Sequence, residues 1–103
     1  MKTVEDCFGR SVRLTNERLA HILGHPEMQG MEAESERVLR QPALVRRSRS
    51  DRTVRLFYEF REETIVGEKW LCVVARYNEG DAFVVTAYLT DKPKQGEELW
   101  PAK

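Results

Sequence analysis

The chain has 103 residues, of which 41% are hydrophobic and 33% charged, and its formal net charge at neutral pH is zero. That length suits one domain, spanning residues 1–103, that buries roughly two thirds of its unfolded surface. The balanced charge excludes bulk attraction to nucleic acid, so any such partner must meet a local patch. No apolar run approaches the ~20 residues a membrane span needs.

The opening Met1-Lys2-Thr3-Val4-Glu5-Asp6 has no apolar signal core, so the chain is expected to stay in the cytoplasm. Cys7 and Cys72 form no close metal or redox motif, and Cys72 lies in an apolar strand pattern that suits a reduced, buried thiol.

In chain order, Ser11-Val12-Arg13-Leu14 reads as a short leading strand. Thr15 is a good N-cap for the following helix, because its hydroxyl can accept an orphan backbone N–H. That helix sets Leu19, Ile22 and Leu23 on one apolar stripe. Gly24 suits a left-handed terminating position and His25 precedes a proline, so the helix ends at about Leu23. A second helix is predicted from Met31 to Arg40, with Glu36 and Arg40 as an i,i+4 pair and Pro42 as its stop.

After Pro42 the period changes to two. Leu44 to Ser48 reads as an edge strand, and Val54 to Glu62 sets Val54, Leu56, Tyr58 and Phe60 against Arg55, Phe57, Glu59 and Arg61. Lys69 to Tyr77 is apolar enough to be a central strand covered on both faces. Asn78 to Asp81 is a hairpin turn, and Ala82 to Thr90 sets Phe83, Val85, Ala87 and Leu89 against Val84, Thr86, Tyr88 and Thr90. Asp91 to Gly96 ends the sheet, and Leu99-Trp100-Pro101 folds back as an anchor. The expected fold is α+β, with two N-terminal helices packed on one face of a four-stranded antiparallel sheet. The Phe83 row is expected to meet the helices, leaving Thr86 and Tyr88 on the open face.

Three groups of residues invite a chemical reading. His21 lies about 200° from the helix stripe. It is therefore either a solvated surface residue or a proton-transfer group, since histidine titrates near neutrality. His25, four residues on, has a metal-ligand spacing, but the glutamate of an HExxH motif is missing and Pro26 takes it off the helical path. No metal is assigned, and His25 is expected to cap the helix end. Secondly, Arg46, Arg47, Arg49, Arg52 and Arg55 put five of the chain's twelve arginines in ten residues, with Asp51 as the one acid. Arginine forks suit phosphate, although arginines on an edge strand also discourage sheet-to-sheet pairing. Thirdly, Thr86, Tyr88 and Thr90, with Arg76 and Tyr58 as cross-strand neighbours, offer hydroxyls and rings that could hold a ribose or base. Such residues also alternate on strands because they pack well there.

Several of these residues together resemble a known family. Leu14-Thr15-x-Glu17-Arg18-x-x-His21-Ile22, His25-Pro26-Glu27, Pro42-x-x-Val45-Arg46, Leu56-x-Tyr58, Val73-Val74 and Phe83 to Asp91 are similar to motifs of the barnase–EndoU–colicin–RelE-like nuclease superfamily. The branch is the one found with phage and toxin–antitoxin systems, and the likeness covers about residues 11 to 100. It implies a toxin-like endoribonuclease that needs no metal or other cofactor. The ribose 2′-OH would attack phosphorus with acid/base help and cationic stabilisation. Carried over by position, His21 is the first acid/base candidate and His25 the second, Arg52 is the phosphate ligand, and Tyr58 and Thr86 are polar partners. Arg46, Arg47, Arg49, Arg55, Arg76 and Tyr88 would bind the RNA, and a cognate antitoxin or immunity protein is an implied partner. The chain departs from the strongly basic toxins by its neutrality and its acidic runs at Glu32-Glu34-Glu36 and Glu97-Glu98. A non-catalytic RNA- or protein-binding module of the same fold is the alternative.

Overall fold

Val4 packs with Val12 and Leu14 where the first two strands, β1 (Lys2–Glu5) and β2 (Ser11–Leu14), form a tight antiparallel hairpin. Helix α1 (Asn16–Leu23), a 3₁₀ turn (Pro26–Met28) and helix α2 (Glu32–Arg40) follow. The chain then runs through β3 (Leu44–Arg47), β4 (Val54–Arg61), β5 (Lys69–Asn78), β6 (Asp81–Thr90) and β7 (Glu97–Trp100). The computed structural model describes residues 1–101. Among them, no helix is long and apolar enough to cross a membrane.

The strands form one sheet in the order β1-β2-β6-β5-β4-β3-β7. This corrects the expected four-stranded antiparallel sheet: there are seven strands, and β2 runs parallel to β6. The additional strands are each four residues long. Lys-Thr-Val-Glu and Glu-Glu-Leu-Trp are too short and too polar to display a period of two, so pairing rather than pattern defines them. The predicted edge strand β3 is internal, because β7 pairs along its other side. The predicted anchor at Leu99-Trp100 is therefore part of a strand, and the Trp100 ring meets Phe8 edge-on at 5.8 Å.

Both helices lie on one face. Thr15 Oγ1 accepts from Arg18 N at 3.1 Å, as expected of the cap. Ile22, Met28, Val38 and Leu39 pack on Phe57, Leu71 and Val73 to form the main core. Lys2 Nζ bridges Glu32 at 2.6 Å and Glu36 at 2.8 Å, so the acidic run of α2 holds the β1 edge in place. Gly24 is right-handed helical (φ −69°, ψ −19°) rather than left-handed, because the chain continues through His25 into the 3₁₀ turn.

A β-bulge changes which side of β6 meets the helices. Val74 pairs with Thr86 but Ala75 pairs with Val84, which leaves Val85 as the extra residue. Ala82 and Val84 consequently share the core side with Ala87, whereas Phe83 lies under the Arg13 guanidinium, 5.5 Å from its ring centre. The expected Phe83 row is thus split. Thr86 and Tyr88 keep their expected place on the opposite, open face, where Leu56, Tyr58 and Cys72 form a smaller cluster.

Candidate functional site

The open face carries a cleft of about 570 Å³, within the usual size range of binding clefts. Its floor is Val54 and Leu56 of β4 and Val74 of β5, and Thr86 and Tyr88 of β6 form one wall. Alternation along each strand, with Leu56 paired to Val74 and Val74 to Thr86, puts these side chains on one face.

Two loops raise the other walls. The β3–β4 turn contributes Ser48, Arg49, Ser50 and Asp51. Asp51 Oδ1 accepts from Thr53 N at 3.0 Å and from Thr53 Oγ1 at 2.6 Å, while Oδ2 accepts from Arg76 Nη2 at 3.1 Å. The hydroxyl bond first, then the amide and the Arg76 guanidinium, hold this carboxyl below its ordinary range. The second wall is the β6–β7 loop, which brings Lys94 and Gln95 over the sheet. Lys94 N donates to the Tyr58 hydroxyl at 3.0 Å, and Arg46 Nη1 donates to Lys94 O at 2.8 Å.

Cationic groups therefore come from separate parts of the chain: Arg49 from the turn, Arg76 from β5 and Lys94 from the loop. Arg76 Nε is buried and has no hydrogen-bond partner among the described residues. A buried donor left unmet costs about 1–3 kcal/mol.

The ionisable groups beneath the cleft are unsuited to proton transfer at neutral pH. Burial pushes the Tyr58 phenol up to about 12 and the Cys72 thiol up to about 11. Burial also raises Tyr88, whose hydroxyl reaches Cys72. A general acid or base works best with a pKa near the operating pH, and a thiol in its neutral form is a poor nucleophile. The arrangement is equipped to bind anions and rings.

The residues singled out from sequence separate into groups. Thr86, Tyr88, Arg76 and Arg49 line the cleft. Tyr58 is fully buried below it, as a support for Lys94 rather than an exposed partner. Arg46 braces the same loop. Arg47 and Arg52 line a neighbouring depression. Arg55 lies on the helix side, stacked 4.2 Å from the Tyr77 ring centre and 4.8 Å from that of Phe8.

His21 and His25 are not brought to the cleft. Both are exposed at the end of α1, with ring centres 5.5 Å apart. Helix α1 packs on the core side of β6 through Ile22, so the sheet stands between His21 and the Thr86–Tyr88 wall. His25 meets the helix end through its backbone N–H, which donates to Ile22 O at 3.2 Å, instead of the expected ring contact. No group of three or more His, Cys, Asp or Glu among the described residues is placed to hold a metal.

Asp51, Lys94 and Gln95 are cleft residues that sequence reading missed. Asp51 carried a signal, as the one acid in an arginine run. Lys94 and Gln95 had only a turn composition, and their place depends on β7 pairing with β3. Comparison with protein families, with curated proteins and with solved structures finds no match to this chain.

Proposed function

We propose that this protein is a binding module for single-stranded RNA, with the phosphate backbone held in the open-face cleft and no histidine-dependent cleavage. The observation that supports this reading best is the convergence of Arg49, Arg76 and Lys94 around an apolar floor beside Tyr88. Guanidinium and ammonium groups suit phosphate oxygens. An aromatic wall with an apolar floor suits a base, whose flat face stacks without regard to sequence. Hydroxyls at Ser48, Ser50 and Thr86 suit the ribose.

Toxin-like cleavage through His21 needs that ring beside the scissile phosphate, and on this fold it projects from the opposite layer. Binding without turnover fits the cleft better, because its shifted groups stay in one protonation state around neutral pH.

The test is fluorescence anisotropy with a labelled single-stranded RNA, repeated across a salt series, with the recovered RNA run on a denaturing gel. Salt-sensitive binding with intact RNA supports the proposal. RNA cut to 2′,3′-cyclic phosphate ends, or no binding at low salt, contradicts it.

A further inference from the structure

Beside the cleft, across the β3–β4 turn, lies a second depression of about 200 Å³ lined by Arg47, Ser48, Arg49, Arg52 and Glu97. Ser48 and Arg49 line both hollows, so the two share a rim. We propose that this depression is a second phosphate subsite, and that the ligand is a strand occupying both hollows with consecutive phosphates. The inference rests on the reading of the cleft as an RNA-phosphate site.

The two hollows repeat the same chemistry. In the cleft, Arg76 gives one Nη to Asp51 and keeps a buried, unmet Nε–H. In the depression, Arg47 Nε lies 3.4 Å from Glu97 Oε1, an ion pair without hydrogen-bond alignment. Each hollow thus presents a guanidinium beside a carboxylate that fixes its position. A phosphate oxygen is an acceptor that the guanidinium fork matches.

Charge favours the same ligand. Arg47, Arg49 and Arg52 face the single carboxylate of Glu97 in the depression. In the cleft, Arg49, Arg76 and Lys94 face Asp51. In a chain of zero formal net charge, this makes a local cationic track. Arg49, on the shared rim, would contact both phosphates. The backbone beneath is close-packed: a Cβ placed on Gly96 would come within 2.3 Å of Arg47 O. The loop and β3 therefore sit against each other beneath the depression.

The test compares binding of adenosine 5′-monophosphate and of a six-nucleotide single-stranded RNA by wild type, Arg52→Ala and Arg76→Ala. Arg52 is exposed, so its replacement spares the core. The expected result is a hexamer bound more tightly than the mononucleotide by wild type. Arg52→Ala should weaken the hexamer about tenfold and leave the mononucleotide unchanged. Its hexamer salt slope should also fall by about 0.7. Arg76→Ala should weaken both ligands. Equal weakening of both ligands by Arg52→Ala, or no effect on the hexamer, overturns the second subsite while the cleft reading stands. Failure of wild type to bind either ligand overturns both.

Discussion

Arg76 on β5 donates to Asp51 in the β3–β4 turn at 3.1 Å, tying the loop that carries Arg49 to the floor of the cleft. The pair is partly exposed, so its direct contribution to stability is small. Its value lies in orientation, because it fixes one edge of the guanidinium beside the cleft. Asp51→Asn keeps an oxygen for the Thr53 contacts but turns its amide N–H toward the Arg76 guanidinium, which releases that tether. RNA affinity at low salt should fall severalfold, measured by anisotropy, with the melting temperature nearly unchanged.

Burial of the Tyr58 hydroxyl beneath the β6–β7 loop gives a pH dependence. Burial raises the Tyr58 phenol from 10.0 to about 12. The folded state thus holds the proton where the unfolded chain has released it, and stability falls as pH rises. The contribution is intact below about pH 10 and is lost progressively towards about pH 12. Urea denaturation at successive alkaline pH values should show this decline, with a shallower slope for Tyr58→Phe. Tyr77 and Tyr88, raised in the same direction, leave a residual slope in that variant.

Gly96 is a packing requirement of the site. The conflict that a Cβ would have with Arg47 O involves backbone, which cannot swing aside as a side chain would. Gly96→Ala should cost about 1–3 kcal/mol, as overpacking does, read as a lower urea midpoint. Because the displaced segment adjoins Lys94, RNA binding should weaken as well.

His21 and His25 contact each other at the end of α1, away from the cleft. His21→Ala should leave RNA affinity unchanged and alter stability by no more than about 0.5 kcal/mol. Chemical denaturation and anisotropy on the same preparation check both.

Local patterns were legible in the sequence and non-local ones were not. Thr15 announced α1, and the alternation of β4 put Leu56 and Tyr58 on one face and Arg55 with Phe57 on the other. The bulge at Val85 was hidden because it is defined by pairing with β5. Tyr58 reads from the sequence as a cross-strand polar partner, and is buried because a loop from the far end of the chain covers it. The helical phase of His21 correctly turned it from the apolar stripe. Phase alone gave no information about which side of the sheet α1 would occupy. That side is set by Ile22 packing into the main core.

If the open-face cleft engages RNA and the histidine pair does not, the affinities of wild type, Arg76→Ala and His21→Ala for one labelled single-stranded RNA at fixed low salt separate the two. Arg76→Ala should lose about tenfold or more, the scale of a charge-assisted phosphate contact, and His21→Ala should keep wild-type affinity. Wild-type affinity in Arg76→Ala together with lost binding in His21→Ala would contradict binding at the cleft.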